Sequence, residues 1–298
     1  MADIKLFNIK GTVKEYQSGT VTLEKELQTV IENNMTTFFG VTFLASEYKT
    51  TDGGRMDSIG IDENHCPVIF EYKRSMKENV INQGLFYLNW LLDHKDSFKV
   101  LVIEKLGLKE ADNIDWTMPR VVCVAGDFTK YDESAIKQMN RNISLIRYKK
   151  FGDDLLMFEQ VNENIAAALP EAEPVVSKTK PVYKTFDEQL DTADAAIKVL
   201  YQDLANFILS LGDDISETHL KLYAAFKKIK NVVTVVSQKK KLVINLPLDV
   251  STVTFEEGFS RDVTNLGHWG CGAVELHLQN KADLEKAKPL IDRSYNEN

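Results

Sequence analysis

The chain has 298 residues, 44% of them hydrophobic, and its 36 Lys and Arg against 44 Asp and Glu give a formal net charge of −8. That length and apolar content allow two domains with a core each, and the acid excess argues against a strongly basic, non-specific nucleic-acid binder. No run reaches the roughly 18 uninterrupted apolar residues of a membrane span, the opening residues lack a signal-peptide core, and Cys66, Cys123 and Cys271 are too few and scattered for a disulfide framework or a zinc site; a cytoplasmic protein with no membrane partner is expected.

In chain order, the pattern predicts a short strand region at residues 4–13, a helix at 23–33, a β-hairpin at 55–74 and a long helix at 77–93. Strands at 99–103, 120–125, 143–148 and 155–160 follow, with a helix at 132–140 between two of them. Residues 166–185, broken by Pro170, Pro174 and Pro181, read as a linker. The predicted first domain, residues 1–165, holds 20 basic against 25 acidic residues, and the predicted second, residues 186–298, holds 13 against 17, so neither half is basic. Beyond the linker come helices at 186–211 and 216–230, strands at 232–237 and 241–247, a Gly-rich turn, a strand at 273–279 and a closing helix at 282–295. This is an α/β domain followed by a smaller α+β domain.

The segment RMDSIGIDENHCPVIFEYKR, residues 55–74, alternates on both sides of the turn-forming Asp62, Glu63 and Asn64. Side chains two apart share a strand face, so Glu71 and Lys73 project together, as do Arg55 and Asp57. Pairing that sets Asp57 opposite Glu71 brings two carboxylates and an ammonium onto one patch. A Mg²⁺ or Mn²⁺ ion suits such oxygen donors and leaves positions for water and phosphate; a solvated face with an ordinary ion pair is the competing reading. The next helix carries an apolar stripe, Val80, Gly84, Leu88 and Leu91, with Gly84 allowing close approach to the sheet, and Gln83 and Tyr87 lie one turn apart at its edge. Arg55 with Lys73, Arg74 and Lys77, and Arg147 with Lys149 and Lys150, are local basic clusters able to meet phosphate.

Gly-Arg-Met-Asp at residues 54–57, Pro-Val-Ile-Phe-Glu-Tyr-Lys-Arg at 67–74 and Gln-Gly-Leu-Phe-Tyr-Leu-Asn-Trp at 83–90 together resemble the PD-(D/E)XK nuclease superfamily, and within it the NucS-like branch of archaeal-type endonucleases. The resemblance covers about residues 20–165, with Met56 standing where the motif's proline is usual. It implies a restriction-endonuclease-like mixed sheet flanked by helices and a Mg²⁺- or Mn²⁺-dependent endonuclease acting on nucleic acid, most readily DNA, in repair or defence. Asp57 and Glu71 would then be metal ligands, Lys73 the catalytic lysine and Gln83 its helper, with Arg55, Arg74 and Tyr87 on the substrate. A glutamate from the preceding helix completes the family's pattern. Glu24 is taken for it, as a third ligand, in a helix whose buried stripe is expected to be Leu23, Leu27, Val30 and Asn34; a first-turn acid favouring the helix N-terminus after Thr22 is the alternative. A homodimer is compatible with cutting two strands.

The second half resembles a domain of unknown role that accompanies such nucleases, over HLKLYAAFKKIKNVVTVVSQKKKLVINLPL. Tyr223, Phe226, Lys227, Lys228 and Lys230 on one helix, with Lys239–Lys241 at a hairpin tip, form one candidate phosphate surface. His268, Trp269 and Gly270 with Arg261 and Asp262 form another. Phosphate-loop, dinucleotide-binding, HExxH and GxSxG signatures are missing. A nuclease-like fold kept as a non-catalytic nucleic-acid or protein interaction module is the alternative function.

Overall fold

The computed structural model describes residues 4–20, 24–73, 80–165 and 183–298. The described chain forms two compact units: one on residues 4–165 apart from 38–40 and 115–118, the other on residues 183–298 with those two short segments.

The first unit runs β1 (Leu6–Asn8), β2 (Lys14–Tyr16), β3 (Ser18–Gly19), α1 (Glu24–Asn33), α2 (Met35–Phe39), β4 (Val41–Lys49), β5 (Arg55–Asp62) and β6 (Pro67–Lys73). Then come α3 (Val80–Asp93), α4 (Lys95–Leu106), α5 (Leu108–Ala111), β7 (Arg120–Ala125), α6 (Lys130–Ile136), β8 (Asn142–Phe151) and β9 (Leu155–Asn164). Among the described residues β1 and β2 pair alone, and the rest make a seven-stranded sheet of order β3-β8-β7-β6-β5-β4 with β9 on β8. Its centre is parallel, β6 with β7 and β7 with β8, and its flanks are antiparallel. The apolar runs of β6, β7 and β8 suit strands covered on both faces: Ile69, Phe70, Val121, Val124, Leu145 and Ile146 are all buried.

The predicted hairpin is present. Asp62 caps its turn by accepting from the Asn64 and Cys66 N–H groups at 2.9 Å each, and His65 takes a left-handed φ of 59°. The long helix is present too. Val80, Leu88 and Leu91 are buried, and Gly84 seats against β7 where a Cβ would fall 2.4 Å from Val121 Cγ1. Helix α1 covers the opposite face. Its buried stripe is Leu27, Gln28 and Ile31, while Val30 and Asn34 are exposed, one position round from the expected stripe. Burying Leu27 and Ile31 contributes roughly 2 kcal/mol each.

In this unit three predicted elements differ. Residues 99–103 belong to helix α4, not a strand, because a short apolar run does not declare its period; Phe98, Leu101 and Val102 fill the core while Val100 and Ile103 face outward. The predicted helix at 132–140 begins earlier, capped at Thr129 by mutual bonds with Asp132, and ends at Ile136. The predicted strand region at 4–13 resolves into the short β1–β2 ribbon.

The second unit holds α7 (Phe186–Asp191), α8 (Ala195–Leu209), β10 (Ser216–His219), β11 (Ala224–Lys227), β12 (Asn231–Gln238), β13 (Lys241–Leu246), β14 (Ser260–Asp262), β15 (Val274–Leu278) and α9 (Lys281–Glu297). Its sheet, six-stranded among the described residues, has the order β10-β11-β12-β13-β15-β14 and is antiparallel throughout. Residues 216–230, expected as a helix, form the β10–β11 hairpin. Ala224 and Phe226 alternate into a core shared with Leu204, Val235, Ile244, Leu276 and Ile291, and pairing with β12 overrides the helical preference of the Ala-rich run. The Tyr223 to Lys230 helical surface therefore does not exist: Phe226 is fully buried and Tyr223 nearly so.

Candidate active site

The site lies at the end of the β5–β6 hairpin. Ladder pairs Ile59↔Ile69 and Ser58↔Phe70 place Asp57 and Glu71 on the next rung. There side chains replace the ladder: Asp57 N–H donates to Glu71 Oε1 at 3.3 Å, and Tyr72 N–H donates to Asp57 Oδ2 at 3.0 Å. Both carboxyls thus share one face with Lys73, as alternation predicts, while Phe70 and Tyr72 point the other way, where the Tyr72 hydroxyl donates to Ser58 Oγ and Ser58 to Glu32 of α1.

Electrostatically the rung is costly. Glu71 has no exposed surface, and its Oε2 is buried without a hydrogen-bond partner among the described residues. Burial first, and the neighbouring Asp57 charge second, push its carboxyl up to about 9. Asp57 is also raised, chiefly by burial, with the Tyr72 N–H and Lys73 pulling it back down.

A cleft of about 480 Å³ opens over this rung, lined by Asp57, Lys73, Glu24, Gln83, Tyr87 and the Gly53–Gly54 turn among others. Glu71 stands behind Asp57. Lys73 Nζ lies 3.9 Å from Glu24 Oε2, so Glu24 faces the lysine. Among the described residues no three His, Cys, Asp or Glu side chains form a cation-holding group; the expected third ligand Glu24 does not join Asp57 and Glu71. Gln83 Nε2 donates to the Tyr87 hydroxyl at 3.4 Å, and that hydroxyl accepts the Arg55 N–H at 3.2 Å, which ties α3 to the start of β5. The tie needs Gly54: a Cβ there would fall 2.7 Å from Tyr87 Cε1. Arg74 and Lys77 lie outside the described residues.

Two contributors escaped the sequence reading. Gln28, buried in α1, donates to the Asp57 carbonyl at 2.8 Å and to Ser46 Oγ at 3.1 Å, fixing the backbone that carries the carboxylate. Glu47 of β4 lines the cleft, ion-paired with Lys25 at 3.2 Å and Arg55 at 2.6 Å. The helix stripe, had it been phased one residue on, pointed to Gln28; nothing in the sequence marks Glu47.

Other expected surfaces are spoken for. Arg147 is buried between Asp127 at 2.8 Å and Glu159 at 2.7 Å, a structural ion-pair network instead of a phosphate contact. In the second unit Arg261 is held by Glu275 at 2.6 Å, His268 bonds the Leu266 and Gly272 carbonyls, and Trp269 packs edge-on to Tyr183. Cys66 and Cys123 are buried and Cys271 partly so, and none of the three is joined in a disulfide.

An uncharacterized protein of Haemophilus influenzae is 32% identical over 302 aligned positions, covering 98% of this chain and 99% of its own. The chain belongs to that protein's family. Residues 186–298 match the family described as a domain of unknown function, DUF5655. Among solved structures, a repair endonuclease from Pyrococcus abyssi aligns at 18% identity and a TM-score of 0.25, over 43% of this chain and about half, 49%, of that one, a likeness too slight to carry an argument. No helix among the described residues is long and apolar enough to cross a membrane.

Proposed function

We propose that the first unit of this family member is a metal-dependent nuclease that hydrolyses phosphodiester bonds in nucleic acid, most readily DNA. The observation that carries the reading is the Asp57–Glu71 rung: two facing carboxyls, one fully buried with an unpartnered oxygen, beside Lys73 and under an open cleft. Stability alone gives no reason to bury such a pair. The donors are all oxygen, which fits Mg²⁺ or Mn²⁺, so Asp57 and Glu71 would hold the ion. Bound there, it would lower the pKa of a water and neutralise charge on the attacked phosphate.

The remaining roles fall to the chain itself. Tyr72 N–H and Gln28 orient Asp57 through its Oδ2 and its carbonyl. Lys73, held toward the cleft beside Glu24, stabilises negative charge growing on the phosphoryl oxygens. Gln83, on the cleft wall, orients water or substrate, and Arg55 at the rim meets backbone phosphate.

The test is cutting of labelled single-stranded, duplex and branched DNA and RNA with Mg²⁺, Mn²⁺ or EDTA, by the wild type, Asp57→Ala and Lys73→Ala. Metal-dependent cutting that drops at least a hundredfold in both variants is expected. Cutting that survives both substitutions would sink the assignment. Binding without cutting in every metal would favour an interaction module.

A further inference from the structure

Glu47 lines the cleft but has no part in the metal-centre reading. It sits inside strand β4 at a φ of 54°, left-handed backbone that costs a non-glycine residue about 1–2 kcal/mol and persists only where the surroundings enforce it. The flanking pairs Ser46↔Ser58 and Tyr48↔Met56 put Glu47 beside Asp57. What holds Glu47 is a pair of cations from different elements: Lys25 of α1 on Oε1 at 3.2 Å and Arg55 of β5 on Oε2 at 2.6 Å.

Those cations are built for an incoming anion. Their side chains are 60% and 63% exposed. Arg55 meets Glu47 through Nε at 2.6 Å, and the guanidinium carries two further NH₂ groups whose planar fork suits a phosphate. A carboxylate offering one oxygen to each of two cations presents the chemistry of a phosphodiester, which also carries two anionic oxygens on one centre. On the cation side these pairs are exposed and so weak, about 0–1 kcal/mol each, while Glu47 Oε2 is itself buried and makes no hydrogen bond among the described residues, so the carboxylate is not tightly held where it sits.

We propose that Lys25 and Arg55 form a phosphate subsite on the cleft wall beside Asp57, and that Glu47 occupies it until a phosphodiester of the substrate displaces the carboxylate. The identity of the ligand as nucleic-acid backbone rests on the nuclease reading. A carboxylate that merely props up the two cations would instead be needed for binding, so the sign of its removal separates the two roles.

The experiment is fluorescence anisotropy of short labelled single-stranded and duplex DNA in EDTA, with the full chain as wild type, Glu47→Gln, Lys25→Ala/Arg55→Ala and the triple variant, each checked by thermal melting. Glu47→Gln is expected to bind about tenfold tighter, as loss of one competing charge at short range implies; the gain vanishes in the triple variant. Glu47→Gly, which tolerates the left-handed backbone, serves if Glu47→Gln does not fold. Unchanged or weaker binding in Glu47→Gln overturns the subsite, as does a gain that survives loss of Lys25 and Arg55. Parallel cutting assays keep the two readings apart. A Glu47→Gln gain without cutting in any metal ends the nuclease and leaves the subsite, whereas cutting without a gain does the reverse.

Discussion

A carboxyl with no exposed surface, facing a second carboxyl, holds its proton far above the ordinary carboxylate range, and for Glu71 this makes stability depend on pH. With its pKa near 9 in the folded chain and 4.5 as the ordinary value, the folded state binds the extra proton between those limits. Stability therefore falls as pH rises through that window. Urea unfolding in EDTA from pH 5 to 9 is expected to show the decline in the wild type and a flatter profile in Glu71→Gln, with Mn²⁺ rescuing the wild type at the alkaline end because the ion takes the proton's place. Parallel profiles for the two proteins would show that Glu71 is not the group responsible. That Glu71 and Lys73 share a strand face was legible from alternation. Glu47 was not, since the left-handed backbone that turns it to Lys25 and Arg55 is signalled in sequence by Gly or Asn, and here a glutamate holds it through tertiary ion pairs.

At the scale of elements, α3 is the support that keeps Gln83 and Tyr87 at the cleft, and Gly84 sets its distance from the sheet. Alanine is the better helix former by about 1 kcal/mol, yet its Cβ would fall 2.4 Å from Val121 Cγ1. Val121 is branched and fully buried on a central strand, so it has no room to retreat. Gly84→Ala is expected to lower unfolding stability by about 1–3 kcal/mol, and Val121→Ala in the same chain to recover part of the loss. A Gly84→Ala protein as stable as the wild type would mean that the helix shifts freely. The hairpin and α3 could be read because alternation and the 3.6-residue period were both complete within them. Helix α4 could not, because apolar residues on all sides erase the period, nor could β10 and β11, whose strand identity comes from pairing with β12.

At the scale of the whole molecule, the residues matched by the domain of unknown function, 186–298, contain their own hydrophobic core: Phe186 begins it, Ile291 is its last fully buried member, and among the described residues none before Phe186 belongs to it. A chain of residues 183–298 is therefore expected to unfold alone in one cooperative transition. Its pH dependence has a named source. His219 is bonded to Glu217 at 2.9 Å and Asp187 at 2.7 Å, with the Tyr201 hydroxyl also on Glu217, a cluster that ties α7 and α8 to β10. Glu217 first and Asp187 after it raise the imidazole, against the opposing pull of burial, so its contribution is complete in acid and lost as pH climbs through its folded pKa. Glu217 is lowered, mainly by His219, so its contribution is lost as pH falls through its own. The isolated unit should be most stable between the two titrations, and His219→Gln should remove the alkaline-side loss. The cluster is half-exposed, so the effect is small. Thermal melting of the fragment and of His219→Gln across pH 4 to 9 decides it: no cooperative transition would show that this core depends on the first 182 residues, and an alkaline decline that persists in His219→Gln would assign that decline to another group.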